Sequence, residues 1–374
     1  MQNLTNWIWF SPWWLQYADY LWMLAGDDGM NGNAPELSEK AMFTTDRDTY
    51  IWRMFGNPAD RPLVPVSRLM THGILQTSAR EKDIALYDWT DYVLMHYSRG
   101  TLLKEWYISL DAMRPDLWQA LAAVQKWAKQ HEAQLNNSVF VGGRPDEGNT
   151  YGYMGWLGNK AVLTARNPSP QTKKLIIPFN KITGFYGTPN LSYKAQITYP
   201  YHANYPATFT SGKDIAIEIP GYTTMAFEFE DGRAETEKEN NHEKIDFTTG
   251  QNSTIVSIPQ QAMTRCELML IGYPDLPTIT INGQQVSPVK TSKAIINNFA
   301  SYAVSGMPST QKPHNWNMVA YNLLPFTGKK IEIAYNGSKN FESYILADLK
   351  IQSGNNQKTI LITEATKRET IRLK

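Results

Sequence analysis

The hydrophobic pattern of this chain changes its period near residue 136. Before that point apolar residues recur at helical spacing, as Leu117, Leu121 and Val124 do. After Ser138, short alternating runs bounded by Gly, Pro and Asn follow one another, which is typical of antiparallel β-structure. A chain of 374 residues also exceeds what one hydrophobic core usually serves. We therefore predict a multi-domain protein that is α/β in its first part and all-β in the rest.

The first part alternates between strand and helix patterns. Residues 64–74 form a compact apolar run that predicts a buried strand, and 78–97 carry a helical pattern opened by a serine. A second apolar run over 102–110 precedes the helix that Pro115 begins. Residues 38–55 predict a short helical or mixed connection. This order indicates βα units with parallel strands, in a barrel or a doubly wound sheet.

The all-β part divides at 230–244, a charged stretch with the composition of a linker or a long exposed loop. We predict domains over 1–135, 136–235 and 245–374. The candidate strands are 161–165, 174–178, 194–198, 214–219, 225–229, 254–258, 267–271, 278–281, 318–323, 330–334 and 344–351. Within the last domain, Ile281-Asn282-Gly283 predicts a hairpin turn.

Composition excludes several classes of partner and site. The 36 basic and 35 acidic side chains balance, so no long-range field attracts nucleic acid. No stretch of about 20 apolar residues is present, which argues against membrane insertion, and 1–10 lack the pattern of a signal peptide. The single Cys266 excludes an internal disulfide or a cysteine zinc site, and we expect a buried thiol. Phosphate, zinc and calcium motifs are also absent, so we predict no metal and no cofactor.

Aromatic residues concentrate in the α/β part, where ten of the twelve tryptophans lie before residue 130. Tryptophan rings stack on sugars but also fill ordinary cores, and both interpretations stay open for Trp13, Trp14 and Trp22. His72, at the end of an apolar run, is either a substrate-facing donor or a hydrogen-bonded core residue. For His96, on a helix face, we expect packing.

Four short stretches of the first part lie in the same order as in a known group of enzymes. They are Ser11-Pro12-Trp13-Trp14-Leu15, Trp22, Gly26-Asp27-Asp28 and Met70-Thr71-His72-Gly73. These stretches resemble the later barrel strands of clan D glycoside hydrolases, the α-galactosidase-like enzymes of families 27 and 36. The resemblance covers 6 to about 229 and implies the C-terminal part of a (β/α)8 barrel followed by a β-sandwich. Together with the strand pattern after 245, we predict this partial barrel followed by two antiparallel β-sandwich domains.

The same resemblance implies a retaining α-glycosidase that acts on α-linked sugars, such as galactosides. Asp27, which follows Gly26, corresponds to the acid/base carboxylate, and Asp28 competes with it. Asp46 and Asp48 are weaker candidates. Those assigned to substrate binding are Trp13, Trp14, Trp22, Asp48 and His72. On residue preference alone, the Asp27 loop also fits a tight turn whose side chains satisfy local backbone N–H groups.

A retaining glycosidase needs a second carboxylate as nucleophile, about 5 to 5.5 Å from the first. In the clan an earlier strand carries it, and only about 135 residues precede the β part here against about 250 for a whole barrel. We expect a fragment of a longer protein, or a partial barrel that has lost catalysis or that a homo-oligomer completes. The resemblance implies an oligo- or polysaccharide substrate and a secreted or periplasmic protein.

A second hypothesis is a non-catalytic carbohydrate-binding or structural protein. Its terminal sandwich would bind the sugar, with Trp316, Tyr321 and Tyr344 as stacking residues. A third is that this sandwich is a scaffold that covers the edge of the barrel. The burial of these aromatic rings distinguishes the two.

Overall fold

The computed structural model describes residues 3–6, 11–23, 38–54, 64–78, 82–233, 244–294, 316–337, 340–351 and 366–373. Strands and helices alternate in the first part of the chain. They are β1 (Asn3–Asn6), β2 (Tyr20–Met23), α1 (Glu39–Met54), β3 (Ile74–Gln76), α2 (Leu86–Ser98), β4 (Trp106–Ile108), α3 (Pro115–Gln130) and α4 (Glu132–Leu135).

The strands of the first part pair in parallel. β1 pairs with β2, β3 pairs with β4, and a parallel bridge joins Leu21 of β2 to Leu69. Helix α1 lies between β2 and Leu69 in the chain, and α2 lies between β3 and β4. The predicted βα rhythm is therefore present among the described residues, and closure into an eight-stranded barrel stays a prediction.

Two boundaries differ from those predicted. Over 64–74 the backbone forms a 3-10 turn at Val66–Arg68 and a bridge at Leu69, and β3 starts only at Ile74. Helix α2 begins at Leu86, several residues after the serine expected to cap it. By contrast, 38–55 contain the 16-residue α1, where the Ser38 hydroxyl accepts a hydrogen bond from the backbone N–H of Ala41 at 3.2 Å. This contact satisfies one of the free N–H groups of the first turn.

Helices α2 and α3 pack together over one apolar core. The predicted stripe of α3 is buried, with Leu117 and Val124 at 0% exposure and Leu121 at 2%. Trp89 of α2 lies in the same core, and its indole N–H donates to the Leu117 carbonyl at 2.9 Å. His96 of α2 is 1% exposed, which confirms that it is a packing residue.

The middle part is an antiparallel sandwich. A six-stranded sheet of order β10-β9-β12-β7-β6-β5 faces the pair β11-β8 across a core that contains Trp156 and Phe179. β8 and β11 alternate between buried and more exposed positions, as strands with one core face do. The strands are β5 (Val139–Gly142), β6 (Tyr151–Leu157), β7 (Lys160–Asn167), β8 (Lys173–Ile177), β9 (Ser192–Tyr199), β10 (Ala203–Thr210), β11 (Ile215–Ile219) and β12 (Thr223–Asp231).

The last part is a second antiparallel sandwich with sheets β13-β14-β20-β16-β17 and β18-β19-β15-β21-β22. Cys266 lies in its core, and burial raises the pKa of the thiol to about 12. Asn282 and Gly283 have φ of 52° and 79°, which confirms the hairpin turn. The strands are β13 (Asp246–Thr249), β14 (Ser253–Ser257), β15 (Met263–Ile271), β16 (Thr278–Ile281), β17 (Gln284–Gln285), β18 (Lys290–Ala294), β19 (Trp316–Asn322), β20 (Lys330–Asn336), β21 (Glu342–Lys350) and β22 (Thr366–Arg372).

The predicted start of the linker over 230–244 is too early in the chain, because its first two residues belong to a strand. β12 continues to Asp231, where Glu230 and Asp231 pair with Lys194 and Tyr193 of β9. Residues 234–243 lie outside the described part of the chain. Charge alone did not mark the end of the strand, because Glu230 and Asp231 are exposed, and an exposed strand position accepts a charged side chain.

Candidate functional site

The carboxyl end of β2 carries an aromatic pair. Trp22 is the second-last residue of this strand, and its ring meets the His72 ring edge to face, with centroids 5.2 Å apart. The parallel bridge between Leu21 and Leu69 brings the segment that contains His72 beside this end of β2. Because ligands of parallel α/β sheets bind at the carboxyl ends of strands, this position is the candidate site.

Trp22 also offers a free donor. Its indole N–H is buried and has no hydrogen-bond partner among the described residues. Buried tryptophan N–H groups usually find a partner, because an unsatisfied polar group costs about 1–3 kcal/mol. A ring with an available donor can both stack on a sugar and hydrogen-bond to one of its hydroxyl groups.

The two predicted catalytic carboxylates, Asp27 and Asp28, lie outside the described residues. In the sequence they follow Met23, the last residue of β2, within five positions. The assignment of Asp27 or Asp28 as the acid/base therefore stays a prediction.

Trp13 and Trp14 lie before the amino end of β2, opposite the end that carries Trp22. They lie in a 3-10 turn, Pro12–Gln16, that precedes the first residue of this strand, Tyr20. Trp13 is 59% exposed, whereas Trp14 packs against the core that contains Leu21. The structure thus brings Trp22 and His72 together and does not bring Trp13 or Trp14 to them.

Asp48 lies in the interior rather than at a surface that a substrate reaches. Its side chain is 0% exposed, and Arg99 of α2 donates to it at 2.8 Å. The hydroxyls of Tyr151 and Tyr153 on β6 donate to its two oxygens at 2.7 and 2.6 Å. The prediction that Asp48 binds substrate does not fit this environment, because its carboxylate is enclosed and occupied. Asp46, on the same helix, is also buried, at 2% exposure.

This ion pair joins the α/β part to the first sandwich. Besides the two tyrosines, Arg166 of β7 donates to Thr45 of α1 at 2.6 Å and to the Tyr151 hydroxyl at 3.1 Å. Sequence reasoning missed Tyr151, Tyr153 and Arg166, which lie more than 100 residues from Asp48. The sequence signal that could have indicated these contacts is the run of polar residues over 44–49, which has no apolar stripe. Every residue of this run is buried in the structure.

Arg99 also reaches toward the candidate site. Its Nη1 lies 3.5 Å from the Thr71 hydroxyl, a long contact to the residue before His72. Lys104 lies nearby, donates to Thr101 at 3.1 Å, and has its pKa lowered to about 7 by burial and by the charge of Arg99. Burial likewise holds the pKa of His96 well below its ordinary value, so this imidazole is neutral.

The rings proposed to bind sugar on the terminal sandwich are not available. Tyr321 is 2% exposed and Tyr344 is 0% exposed, and the Trp316 side chain lies outside the described residues. Tyr344 packs at the junction of the two sandwiches with Tyr222 and Met269. These contacts correct the expectation that Tyr321 and Tyr344 are stacking residues.

The described ranges hold no group of three His, Cys, Asp or Glu side chains arranged to bind a metal ion. None of their helices has the length and apolar character needed to cross a bilayer.

No family model and no curated protein matches the chain. Among solved structures it is similar to α-galactosidase I from Mortierella vinacea, with 12% identity, a TM-score of 0.39, and coverage of 63% of this chain and 59% of that one. A noncanonic maltogenic α-amylase from Thermotoga neapolitana has 11% identity and a TM-score of 0.35, with 61% and 54% covered. A β-porphyranase from Bacteroides plebeius has 13% identity and a TM-score of 0.21, with 86% and 61% covered.

These three structures are of glycoside hydrolases, and one of them is an α-galactosidase. The similarity spans less than two thirds of the length of each of these structures. At such identities and TM-scores the proposals below rest on the residues of the chain itself.

Proposed function

We propose that the chain is part of a retaining glycoside hydrolase that acts on α-linked sugars, such as galactosides. The observation that carries this proposal is the Trp22–His72 pair at the carboxyl end of β2, where the Trp22 indole N–H has no hydrogen-bond partner among the described residues. In the sequence, Gly26-Asp27-Asp28 comes three to five positions after the last residue of this strand, Met23. A ring that can stack on a sugar and a nearby carboxylate are features that such a site uses.

In the proposed mechanism Asp27, or Asp28 in its place, is the acid/base. As the acid it protonates the leaving oxygen, and as the base it later activates the water that releases the sugar. The nucleophile is a second carboxylate on an earlier strand or on a second subunit. Trp22 and His72 bind the sugar, the first through its ring face and indole N–H and the second through a ring nitrogen. Asp48 and Arg99 position the Thr71 segment.

Support for the domain order comes from the fold. A row of parallel strands with intervening helices leads into an antiparallel sandwich, as the resemblance implies. Arg368 of the terminal sandwich donates to the Tyr222 carbonyl of the first, and Thr370 donates to Gly221. With its candidate stacking tyrosines buried, we propose a scaffold role for the terminal sandwich.

The test is hydrolysis of a panel of nitrophenyl α- and β-glycosides by this chain and by a version extended upstream in its genome. We expect α-glycoside hydrolysis by the extended protein, with a loss of about 10³-fold or more in Asp27→Asn or in Asp28→Asn, whichever is the acid/base. Trp22→Phe should raise KM, because it removes the donor and retains the ring.

Trp13→Phe is the matched control, since Trp13 lies before the amino end of β2. An equal effect of Trp13→Phe and Trp22→Phe would contradict the site geometry. No activity from either form of the protein on any glycoside would overturn the enzymatic proposal and favour a carbohydrate-binding protein.

A further inference from the structure

A cavity of about 710 Å³ lies between the α/β part and the first sandwich. Its walls come from residues 64–66, from 136–138 after α4, from the turn between β6 and β7, and from 181–187 after β8. Its size is within the range of about 300–1,000 Å³ that is typical of small-molecule sites.

This cavity is separate from the candidate catalytic site. Residues 64–66 precede the bridge at Leu69 and all of β3, so they lie where this parallel segment begins. Trp22 and His72 lie toward the carboxyl end of β2. The two sites are therefore on opposite ends of the parallel strands.

The cavity combines an exposed aromatic ring with polar groups. Tyr186 is 77% exposed, and Ile182 and Leu157 beside it are 46% and 50% exposed. The amides of Asn136 and Asn137 are also at the wall. An open ring next to hydrogen-bonding groups suits a ligand with one apolar face and a polar edge.

Trp156 lines this cavity with a ring that its neighbours hold in place. The residue is 4% exposed, and its ring packs against both Phe179 and Phe185, each with its centroid 4.9 Å away. Its indole N–H is buried and has no hydrogen-bond partner within the described part of the chain. Asn159 is oriented as well, because its amide N–H₂ donates to Asp231 at 2.7 Å and this leaves its carbonyl oxygen as an acceptor.

The charges of the wall select the class of ligand. Lys181 is the one charged side chain among the described residues that line the cavity, and no carboxylate lines it. A site for a polyphosphate or a nucleotide usually has several cationic side chains in its wall. A site for a lipid chain usually has a wall without amide groups. A neutral pyranose has an apolar ring face and a rim of hydroxyl groups, which Tyr186, Trp156 and the amides complement.

We propose that this cavity is an accessory binding site for a neutral oligosaccharide or a segment of a neutral polysaccharide. It goes beyond the proposed hydrolysis and does not depend on it. Tyr186 stacks on one sugar ring, the Trp156 indole N–H donates to a hydroxyl, and the Asn159 carbonyl accepts from another. The site anchors a polysaccharide at the end of the α/β part that is remote from Trp22 and His72.

The test is native electrophoresis of the full chain in gels that contain galactomannan, xyloglucan or soluble starch, each compared with a plain gel. We expect retardation in at least one of the three gels. Tyr186→Ala should weaken the apparent affinity about tenfold, which corresponds to about 1.4 kcal/mol. Trp156→Phe should weaken it by a smaller factor, because the ring stays and only the donor is lost. Phe247→Ala, which removes an exposed ring on the terminal sandwich, is the matched control and should leave retardation unchanged.

Absence of retardation in all three gels would overturn the proposal, and so would retardation that Tyr186→Ala leaves intact. Tyr186 is exposed, so this variant should fold and carries the test even if Trp156→Phe does not. Hydrolysis of nitrophenyl glycosides by the extended protein separates the two proposals. Retardation without hydrolysis supports the accessory site and counts against the enzyme, whereas hydrolysis without retardation does the reverse.

Discussion

Two buried arginine–aspartate pairs hold this molecule together in different ways. Asp48 and Arg99 come from separate helices, and two tyrosine hydroxyls from the first sandwich complete the hydrogen bonds of the carboxylate. Asp348 and Arg368 are opposite residues on the neighbouring strands β21 and β22, and they pair through two contacts of 2.6 and 2.9 Å. The first pair is assembled by the tertiary fold, and the second is prepared within one sheet.

The outward contacts of the two pairs differ accordingly. In the first pair, Arg99 and two tyrosine hydroxyls all donate to the Asp48 carboxylate, so each of them would lose a hydrogen-bond acceptor without it. In the second it is Arg368 that reaches out, to the Tyr222 carbonyl at 2.6 Å and over the Tyr87 ring at 3.9 Å. We conclude that the first pair joins α1 and the end of α2 to β6 of the first sandwich, whereas the second fastens the terminal sandwich.

The largest effect is expected from Asp48→Asn. This change leaves the buried Arg99 without its charge partner, which should lower the free energy of unfolding by about 3–5 kcal/mol in urea denaturation. The control is Asp116→Asn, which breaks an ion pair whose two side chains are 28% and 37% exposed and should cost at most about 1 kcal/mol. Equal losses in the two variants would contradict a central role for Asp48.

Arg368→Met should have a somewhat smaller effect, about 2–4 kcal/mol, because the carboxylate that it leaves without a partner, Asp348, is 7% exposed and so keeps some contact with water. The loss should appear as earlier unfolding of the terminal sandwich, measured by limited proteolysis. Adding Asp348→Leu should restore most of the stability, since an apolar pair replaces the ionic one.

The corresponding double variant at the first pair, Asp48→Leu with Arg99→Met, should show no such recovery. It leaves the hydroxyls of Tyr151 and Tyr153 buried without acceptors. Recovery at both pairs would remove the distinction between them.

Each pair has a neighbour that titrates near neutral pH, and the two act with opposite sign. Near the second pair, burial raises the pKa of Asp91 to about 7, and its carboxyl group accepts from Tyr199 at 2.6 Å. Between pH about 4 and 7 the folded protein thus holds a proton that the unfolded chain has lost. Stability should fall with rising pH across this range, and Asp91→Asn should flatten the profile. An unchanged slope in the variant would assign it to other groups.

Beside the first pair, Lys104 should give a dependence of similar size and opposite sign in the alkaline range. Its pKa is lowered to about 7, so above that pH the folded protein holds fewer protons than the unfolded chain, whose lysine stays charged up to about pH 10.5. Stability should rise between pH about 7 and 10.5, measured by urea denaturation, and Lys104→Met should abolish this rise. Lys129→Met, on an exposed position of α3, is the control and should leave it in place.

Several elements follow from local sequence. The stripe of α3 repeats at helical spacing behind Pro115, so its start and its buried face are both predictable. The turn at Asn282 and Gly283 is predictable because these residues adopt positive φ at low cost. Strands β8 and β11 alternate between buried and more exposed positions, as is typical of a strand with one core face. The candidate strands include neither β5 nor β6, and β6 shows no such alternation because it is buried on both faces.

Local sequence patterns gave wrong predictions where contacts with residues far away in the chain determine the structure. The prediction placed the start of α2 at the serine before it, but the helix begins at Leu86. Just ahead of this start, the Ile84 carbonyl accepts a hydrogen bond at 3.0 Å from the Arg114 side chain, which lies 30 residues further along the chain. The environment of Asp91 on α2 is likewise set by a distant contact, because its partner Tyr199 lies 108 residues away.

The sequence by itself determined the division into an α/β part and two all-β parts, most strand positions and the buried state of Cys266, since these depend on periods of a few residues. Only the tertiary structure decided that Asp48 is an interior ion-pair residue, that Trp22 meets His72, and that Trp156 borders a cavity. The physical reason is that the partners of Asp48 lie 51, 103 and 105 residues away, and packing of whole elements, not local preference, sets such distances.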